Sequence, residues 1–523
     1  MTVNSLSFLA FLAVTVLVYY LIPKKTQWVC LLIASLYFCW TLGNGLLGYL
    51  SLTCLSTYAA VRLMGRLDEK LEKQLAGLAP AQKKQQKNVV RKQKKRILAG
   101  ALVLNFGILV LVKYDDFLVG NLNRFLGIWG RGNLTSPGFL VPLGISYYTL
   151  QSMGYALDVY KGKVKPEKSF WKTALFLCFF PQMTQGPIGR FPDLAPQLFA
   201  GRSFSYDNLA MGCRRILWGI FKKAVIADRM KPVVDTIFGH PNRYSGMTIF
   251  LGCIYMSIQV YADFSAYMDI VAGAAQLFGI RIAENFRRPF FSMSLAEYWR
   301  RWHMTLSGWF RDYLFYPLSI SKPAVRFGKI GKKYFGIRIG RLFPAIYAMV
   351  IVWFSTGLWH DASWRYVLWG AANGAVMIAS MCLEPCFRKL KQALHIPEES
   401  RGWKLFSMLR TFLLVSLLKV FPGAGSTKEA LKLLKKIFTD FGAELSYEAF
   451  FPKMEAMHLA FIGVGLAAFL MVSIFQEKAP ARANLARKPM AVRWCCYFLL
   501  ITCILCMGAF EIEMVGGFAY AQY

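Results

Sequence analysis

Apolar runs recur along nearly the whole chain and are separated by short basic segments. Many of these runs are about 18 or more residues long, which is enough for a helix to cross the hydrocarbon core of a bilayer. The short alternating strands of a transmembrane barrel are not present in the pattern. The sequence therefore predicts an all-α polytopic membrane protein, one integral membrane domain over residues 1–523, with about 11 transmembrane spans.

Two neighbouring apolar runs, at 343–359 and 366–385, predict a helical hairpin with Lys and Arg at both of its ends. Basic flanks collect on the cytoplasmic side of a membrane, so both ends are expected there. The rise of a helix then places the tip of the hairpin, HDASWR, roughly 25 Å from the basic loop at 321–341 that precedes it. Residues 386–523 are expected to add an interfacial helix within 426–452 and spans near 403–421, 457–475 and 492–510.

The charge of the chain supports this topology. There are 62 Lys and Arg against 28 Asp and Glu, a formal net charge of +34. The basic residues cluster between apolar runs, most densely in the polybasic segment 65–96, as expected for cytoplasmic loops facing anionic lipid. No aromatic residue is interleaved there for stacking on bases, so we expect a helix lying on the lipid surface and no nucleic-acid partner.

Two further segments interrupt the apolar pattern. A broken backbone is predicted within 170–192, because Pro181, Gly186, Pro187 and Gly189 cannot share a regular helix. We interpret this segment as a half-span followed by a re-entrant turn, and an interfacial loop is the alternative. The run from Val141 to Gly162 carries a polar stripe at helical spacing, which indicates a face turned towards a bundle interior. The stripe consists of Ser146, Tyr147, Gln151, Tyr155 and Asp158.

Carboxylates and histidines in apolar surroundings are the candidates for chemistry. Asp263 and Asp269 interrupt an apolar helix, with Arg281, Arg287 and Arg288 as possible ion-pair partners, and intramembrane carboxylates indicate a functional or paired role. Residues 297–320 predict one helix on which His303, Ser307 and Arg311 share a face.

Two of the five histidines stand directly after a tryptophan: His303 follows Trp302, and His360 follows Trp359. A neutral, positioned imidazole deprotonates a hydroxyl near neutral pH, which is what acyl transfer requires. A site ringed by tryptophans also excludes water from an acyl donor. The alternative for His360 is a histidine at the lipid interface, where tryptophans collect in any case. The alternative for His303 is a helix histidine that is hydrogen-bonded to a neighbour.

Other enzyme classes lack their motifs. The chain contains no GxxxxGK[ST], HExxH or GxSxG sequence, which argues against a transport ATPase, a zinc protease and a serine hydrolase. The cysteines show no metal-ligand spacing, so no metal site is expected. A transporter of a polymer or small molecule is the alternative class, because a broken segment and intramembrane carboxylates suit substrate–ion coupling.

The sequence ENFRRPFFSMSLAEYWRRWHMTLSGWFRDYLFYPL at 284–318, followed by TGLWHDASWRYVLWG at 356–370, resembles the membrane-bound O-acyltransferase family. The segments VPLGISYYTLQSMGYALDVYKG, FFPQMTQGPIGRF and YADFSAYMDIVAG are similar to its bacterial branch. The branch whose members acetylate exported polysaccharides is the most similar, and D-alanyl transfer proteins of teichoic acid modification are a second similar group.

This resemblance implies a helical bundle around a central tunnel, with a catalytic core at 141–385. It also implies a multi-pass enzyme of the bacterial cytoplasmic membrane that moves an acyl group, acetyl above all, to hydroxyls of an extracytoplasmic polysaccharide or cell-wall polymer. Transfer is direct or passes through a partner acyltransferase, and D-alanyl transfer from an acylated carrier protein is the alternative. The donor is a cytoplasmic thioester, acyl-CoA or an acyl carrier protein, and no tightly bound cofactor is expected.

The motifs of the family place its catalytic histidine on His360 and a second functional histidine on His303. The family usually has Gly after the catalytic histidine, whereas this chain has Asp361, which is expected either to orient His360 or to lie solvated in the loop. The residues expected to bind substrate are Ser307, Arg311, Asp361, Trp359, Trp302, Gln151 and Asp263.

Overall fold

The structure, a computed structural model, describes residues 1–43, 45–75, 79–130, 132–442, 446–478 and 481–510. Within these ranges the regular secondary structure is helical and includes no strand, which confirms the predicted all-α class. The chain forms two compact units, residues 1–213 with 271–283 and residues 214–270 with 284–523.

The first unit is built from the N-terminal helices of the chain. Their bounds are α1 Leu6–Leu21, α2 Gln27–Leu42, α3 Leu46–Leu75, α4 Pro80–Lys113, α5 Asp115–Gly127, α6 Ile145–Tyr160, α7 Phe170–Cys178 and α8 Phe191–Phe199. Two helices contain residues of both units, α9 Tyr206–Phe221 and α11 Gly246–Leu277.

The second unit contains the motif-bearing segments and the C-terminal part. Its other α-helices are α10 Asp228–Gly239, α12 Leu295–Arg301, α13 Met304–Phe310, α14 Tyr316–Ser319, α15 Lys322–Gly340, α16 Phe343–His360, α17 Trp364–Ala393, α18 Arg401–Leu417, α19 Val420–Gly423, α20 Thr427–Thr439, α21 Tyr447–Phe450, α22 Ala456–Lys478, α23 Ala481–Ala486 and α24 Met490–Met507. Two π-helical turns lie between them, at Lys222–Ala227 and Arg311–Phe315.

Among the described residues, eight helices are long and apolar enough to cross a membrane: α3, α4, α11, α16, α17, α18 with α19, α22 and α24. Helix α1 is a shorter apolar helix. Helices of suitable length and composition therefore lie where the C-terminal spans were predicted, whereas the expected total of about 11 spans is not confirmed.

The polybasic segment differs from the expected surface helix. The dense basic run at 83–96 belongs to α4, a single helix of 34 residues that also contains the following apolar run, whereas Arg66, Lys70 and Lys73 belong to α3. Helix α4 packs against α3, and the Lys94 Nζ donates to Asp68 Oδ2 at 2.6 Å. Since 34 residues span about 50 Å and the hydrocarbon core is about 30 Å thick, the basic end extends the span along its own axis.

The predicted break in 170–192 is present in the first unit. Helix α7 ends at Cys178, and residues 179–189, which follow it without a regular helix, are buried. Gln151 of α6 holds this segment, because its Nε2 donates to the Phe176 carbonyl at 2.5 Å and its Oε1 accepts from the Gly189 N–H at 3.1 Å. Gln151 of the polar stripe therefore satisfies two backbone groups at the two ends of the break.

The hairpin predicted at 343–385 forms from α16 and α17, joined by residues 361–363. The two helices approach so closely that glycine is required at the crossing. A Cβ on Gly357 would lie 2.3 Å from the Tyr366 carbonyl oxygen, and one on Gly370 would lie 2.3 Å from the Trp353 carbonyl oxygen. Contact between the two backbones thus fixes the end of α16, where His360 lies.

Candidate functional site

The helix predicted over 297–320 is broken at His303. Helix α12 ends at Arg301, His303 has a left-handed backbone with φ 47° and ψ 51°, and α13 begins at Met304. The prediction of one continuous helix was wrong because a separate segment supplies the hydrogen bonds at the break. The Met304 N–H donates to the Asn285 carbonyl at 2.9 Å, and the Thr305 N–H donates to Asn285 Oδ1 at 3.1 Å.

His303 is 1% exposed and is held by polar and aromatic neighbours. Its Nδ1 lies 3.3 Å from Asn285 Oδ1. The ring of Phe264 packs edge-on against the imidazole, with centroids 5.0 Å apart. Burial lowers the pKa of His303 to about 3, because removal from water disfavours the charged form. The imidazole is therefore neutral at physiological pH.

His360 ends α16 and is 3% exposed. Its ring lies among aromatic side chains, with centroids 5.0 Å from Trp359 and 5.1 Å from Trp369 and a stacked contact with Tyr366. The centroids of His360 and His303 are 6.4 Å apart. The break at His303 and the end of α16 thus bring the two histidines together, and their Nε2 atoms are both shielded from solvent.

The two tryptophans of the motifs complete this surrounding. Trp359 packs against both imidazoles, with its ring centroid 5.8 Å from that of His303. Trp302 is 3% exposed and stacks on Tyr298, with centroids 5.5 Å apart. We call His303 and His360 with these aromatic neighbours the histidine pair. Large flat side chains on several sides are well suited to exclude water from a reacting acyl group.

The side chains expected to share a face with His303 are arranged differently. The Ser307 Oγ donates to the Trp302 carbonyl at 3.4 Å, close to the break. Arg311 begins a π-helical turn, its side chain is 59% exposed, and its Nε donates to Asp312 Oδ1 at 2.9 Å. Helical spacing predicted that Ser307 and Arg311 share a face with His303. The break at His303 rotates them away from the buried imidazole. Their roles in substrate binding stay predictions.

Asp361 has partners within its own loop. Its Oδ2 accepts from Ser363 Oγ at 2.7 Å and lies 3.7 Å from Arg365 Nη2. Arg365 in turn donates from Nη1 to the Ala424 carbonyl at 2.5 Å. These contacts give the carboxylate a structural role in the turn that joins α16 to α17. Its predicted part in substrate binding stays a prediction.

The carboxylates Asp263 and Asp269 pair with cations of the preceding helical segment. Lys223 Nζ lies 2.8 Å from Asp263 Oδ1, and Asp269 contacts Lys222 Nζ and Arg215 Nε, each at 2.8 Å. The suggested partner Arg288 pairs instead with Glu477 at 2.7 Å. The ion-pair cluster, as we call it, consists of Arg215, Lys222, Lys223, Asp228, Asp263, Asp269 and Glu284.

The π-helical turn Lys222–Ala227 explains these pairings. It places two consecutive lysines in contact with acids of α11 that stand six residues apart, Asp269 and Asp263. Sequence spacing alone does not indicate this turn. Gln151, by contrast, lies in the first unit, where it holds the broken segment after α7. The predicted roles of Asp263 and Gln151 in substrate binding stay predictions.

Two residues near the histidines were missed from the sequence. Asn285 stands in the quoted ENFRRPFF motif without any periodic signal to connect it with His303, 18 residues later. Lys419 had a detectable signal, because it is the one charged residue in the apolar stretch 411–421 of a run predicted to be a span. Its Nζ lies 5.5 Å from the ring centroid of Trp302 and 6.0 Å from that of Trp369. It places a cation beside Trp369, which contacts His360, and beside Trp302, which directly precedes His303.

Comparison with known proteins identifies the fold around this site. Residues 167–328 match the model of MBOAT, the membrane-bound O-acyltransferase family. A probable alginate O-acetylase of Azotobacter vinelandii is 32% identical over 60% of this chain and 60% of its own length. The corresponding protein of Pseudomonas fluorescens is 31% identical over 72% of this chain and 70% of its length.

The similarity to the corresponding protein of Pseudomonas aeruginosa extends over most of both chains, at 29% identity over 90% of this chain and 82% of the relative. More distant relatives are named peptidoglycan O-acetyltransferase, from Helicobacter pylori, and teichoic acid D-alanyltransferase, from Bacillus subtilis. The family model and these relatives agree with the motifs and with the helical fold. The chain belongs to the membrane-bound O-acyltransferase family.

Proposed function

We propose that this protein transfers an acetyl group from a cytoplasmic thioester, acetyl-CoA or an acetylated carrier protein, to a hydroxyl outside the cytoplasm. The hydroxyl belongs to an exported polysaccharide or cell-wall polymer, or to a partner acyltransferase that passes the group on. The proposal places the protein in the bacterial cytoplasmic membrane. One observation carries it: in a member of this family, His360 and His303 lie 6.4 Å apart between ring centroids, buried among aromatic side chains.

The proposed reaction needs a base and a dry site. The His360 imidazole accepts the proton of the acceptor hydroxyl while the hydroxyl oxygen attacks the carbonyl carbon of the thioester. The ester bond forms as the carbon–sulfur bond breaks, and the leaving thiolate receives the proton from the imidazolium. The tryptophans beside the ring keep water from competing for the acyl group. His303 positions the donor or the acceptor next to this base.

The partners of the buried carboxylates favour an enzyme over a transporter. Asp263 and Asp269 contact lysine and arginine side chains of their own unit. An ion-coupling carboxylate exchanges its cation during transport, whereas these groups are neutralised by fixed protein cations. Purified protein that moved a polymer or small molecule across liposomes without thioester cleavage would support the transporter instead.

The test is mass spectrometry of envelope polymers from cells that carry wild-type protein or His360→Ala. We expect polymer acetylation to fall on the order of 10²–10⁴-fold in the variant, at equal protein in the membrane, because the general base is absent. His395→Ala is the matched control, since His395 is an exposed histidine of the same unit. Retained acetylation in His360→Ala contradicts the proposal, and D-alanyl esters in place of acetyl esters redirect it to D-alanyl transfer.

A further inference from the structure

We propose that Asn285 is the positioning residue of His303: it holds the imidazole in the tautomer with hydrogen on Nδ1, so that Nε2 carries the lone pair. The inference concerns the same site as the proposed function and rests on it only for the effect on activity. The tautomer itself follows from hydrogen-bond donors and acceptors on either side of the Asn285 amide.

The orientation of the amide follows from the Thr305 backbone. The Thr305 N–H lies 3.1 Å from Asn285 Oδ1, and an N–H can only donate, so the atom that faces it must be the amide oxygen. The Thr305 hydroxyl donates to the same oxygen at 2.9 Å. On its other side, the Asn285 Nδ2 faces the Met268 sulfur, a weak acceptor, at 3.5 Å. Both ends of the amide therefore agree on one orientation.

This orientation determines the tautomer of His303. The nitrogen that faces Asn285 Oδ1, 3.3 Å away, is Nδ1. An amide oxygen only accepts, so Nδ1 must carry the hydrogen. A neutral imidazole has one N–H, which leaves Nε2 as the acceptor. The depressed pKa of the buried ring agrees with this neutral form.

The segment that carries Asn285 is itself fixed on both sides. Glu284 accepts from the Arg215 Nη1 at 2.7 Å, which links it to the ion-pair cluster. Phe286 packs between Phe264 and Trp302, with a centroid distance of 5.0 Å to each. Asn285 also caps α13, because its backbone and side-chain oxygens accept from the first two N–H groups of that helix. One residue thus sets both the helix start and the ring orientation.

The functional consequence concerns what His303 offers to a substrate. With hydrogen on Nδ1, the ring presents a lone pair from Nε2 and accepts a hydrogen bond from a hydroxyl, a thiol or an amide N–H. The opposite tautomer would present a donor there. We therefore assign to His303 the recognition of a donor group on the substrate, next to His360.

The test is ¹⁵N NMR of protein that is labelled only at histidine and reconstituted in nanodiscs. The chain has five histidines, and the signals of His303 are identified by their loss in His303→Gln. We expect hydrogen on Nδ1 in the wild type. Asn285→Leu should populate the Nε2–H tautomer and lower kcat roughly 10²-fold, the size expected for a misplaced substrate. Thr305→Val is the matched control, since it removes another bond to the same oxygen and should leave the tautomer unchanged.

Asn285→Asp keeps an acceptor opposite Nδ1 and adds a negative charge. It should keep the tautomer and retain activity, with the acidic limb of the pH profile moved to higher pH because the carboxylate raises the pKa of His303. Hydrogen on Nε2 in the wild type overturns the proposal, as does an Asn285→Leu variant with unchanged tautomer and kcat. If that variant does not fold, the wild-type spectrum and the pH profile of Asn285→Asp still decide. The spectrum needs no turnover, so it stands apart from any failure of the proposed acyl transfer.

Discussion

The histidine pair and the ion-pair cluster are two buried polar regions of the same unit, and they are built in opposite ways. In the cluster, cations and carboxylates meet at about 2.8 Å, and the charge is compensated within the protein. In the histidine pair, imidazoles are surrounded by Trp359, Trp369 and Phe264. Groups that neutralise each other hold helices together, whereas neutral bases in an apolar surrounding keep their capacity to exchange protons.

The largest difference between the ion-pair cluster and the histidine pair is expected when Asp269 of the cluster is replaced, because this change should affect stability and not activity. Asp269→Asn leaves Lys222 without its acid, while Arg215 keeps Glu284, and loss of one partner of a buried pair costs about 3–5 kcal/mol. We expect this loss of stability in a denaturation series in detergent, with activity per folded molecule retained. The control is Asp235→Asn, which breaks the exposed pair with Lys231 and should cost no more than about 1 kcal/mol. Equal losses in both variants would contradict the structural role of the cluster.

Acid should weaken the protein through the histidine pair. His303 titrates near 6.5 when unfolded and at about 3 when folded, so below pH 6.5 the unfolded state binds a proton that the folded state does not. Stability is therefore full above pH 6.5 and falls with the pH towards 3. Between pH 6.5 and 4.5 this one group contributes a loss of up to about 2.7 kcal/mol.

The measurement compares wild type with His303→Gln, which cannot be protonated in this range. The variant should lose less stability than the wild type between these two pH values. Identical pH dependence of the two proteins would contradict this prediction, because it would show that His303 binds a proton as readily in the folded state as in the unfolded state.

The close contact of α16 and α17 gives a smaller and more local effect. Gly357→Ala places a methyl group against the Tyr366 carbonyl, and such overpacking costs typically about 1–3 kcal/mol. We expect lower acyl transfer as well, because the end of α16 that carries His360 must shift. Gly463→Ala in α22 is the matched control, since nothing lies within 4 Å of its added Cβ. A Gly357→Ala protein as stable and active as wild type would contradict the tight crossing.

The smallest effect is expected at Asp361. The carboxylate contacts Ser363 and Arg365 in a partly exposed turn. Asp361→Asn should change the free energy of unfolding by roughly 0.5 kcal/mol and leave the pH profile of activity in place, because exposed ion pairs contribute little. A clear displacement of that profile would assign the carboxylate to His360 instead.

Much of the helical plan was predictable because apolar length and basic flanks are local properties of the sequence. The α16–α17 hairpin, the C-terminal spans and the break after α7 follow from such patterns. The break at His303 was not predictable, since Asn285 supplies its hydrogen bonds from outside the helix. The proximity of His303 to His360 also depends on packing between helices, and periodicity within one helix carries no information about it.

The ion pairs of Asp263 and Asp269 show the same limit. Lys223 lies 40 residues before Asp263 and Lys222 lies 47 residues before Asp269, beyond the reach of helical spacing rules. The nearby arginines were reasonable candidates by sequence distance alone. Long-range pairing of this kind becomes visible only when the helices are placed side by side.

The π-helical turn at Lys222–Ala227 sets a length constraint that is independent of side-chain chemistry. Such a turn closes its hydrogen bonds over five residues instead of four, so it contains one residue more than the α-helix around it. Deletion of any one of the uncharged residues 224–227 would restore an ordinary helix and rotate everything on one side of it by about 100°. Lys222 would then no longer face Asp269, and Lys223 would no longer face Asp263, although every charged residue would still be present. In this short stretch the number of residues matters as much as their identity.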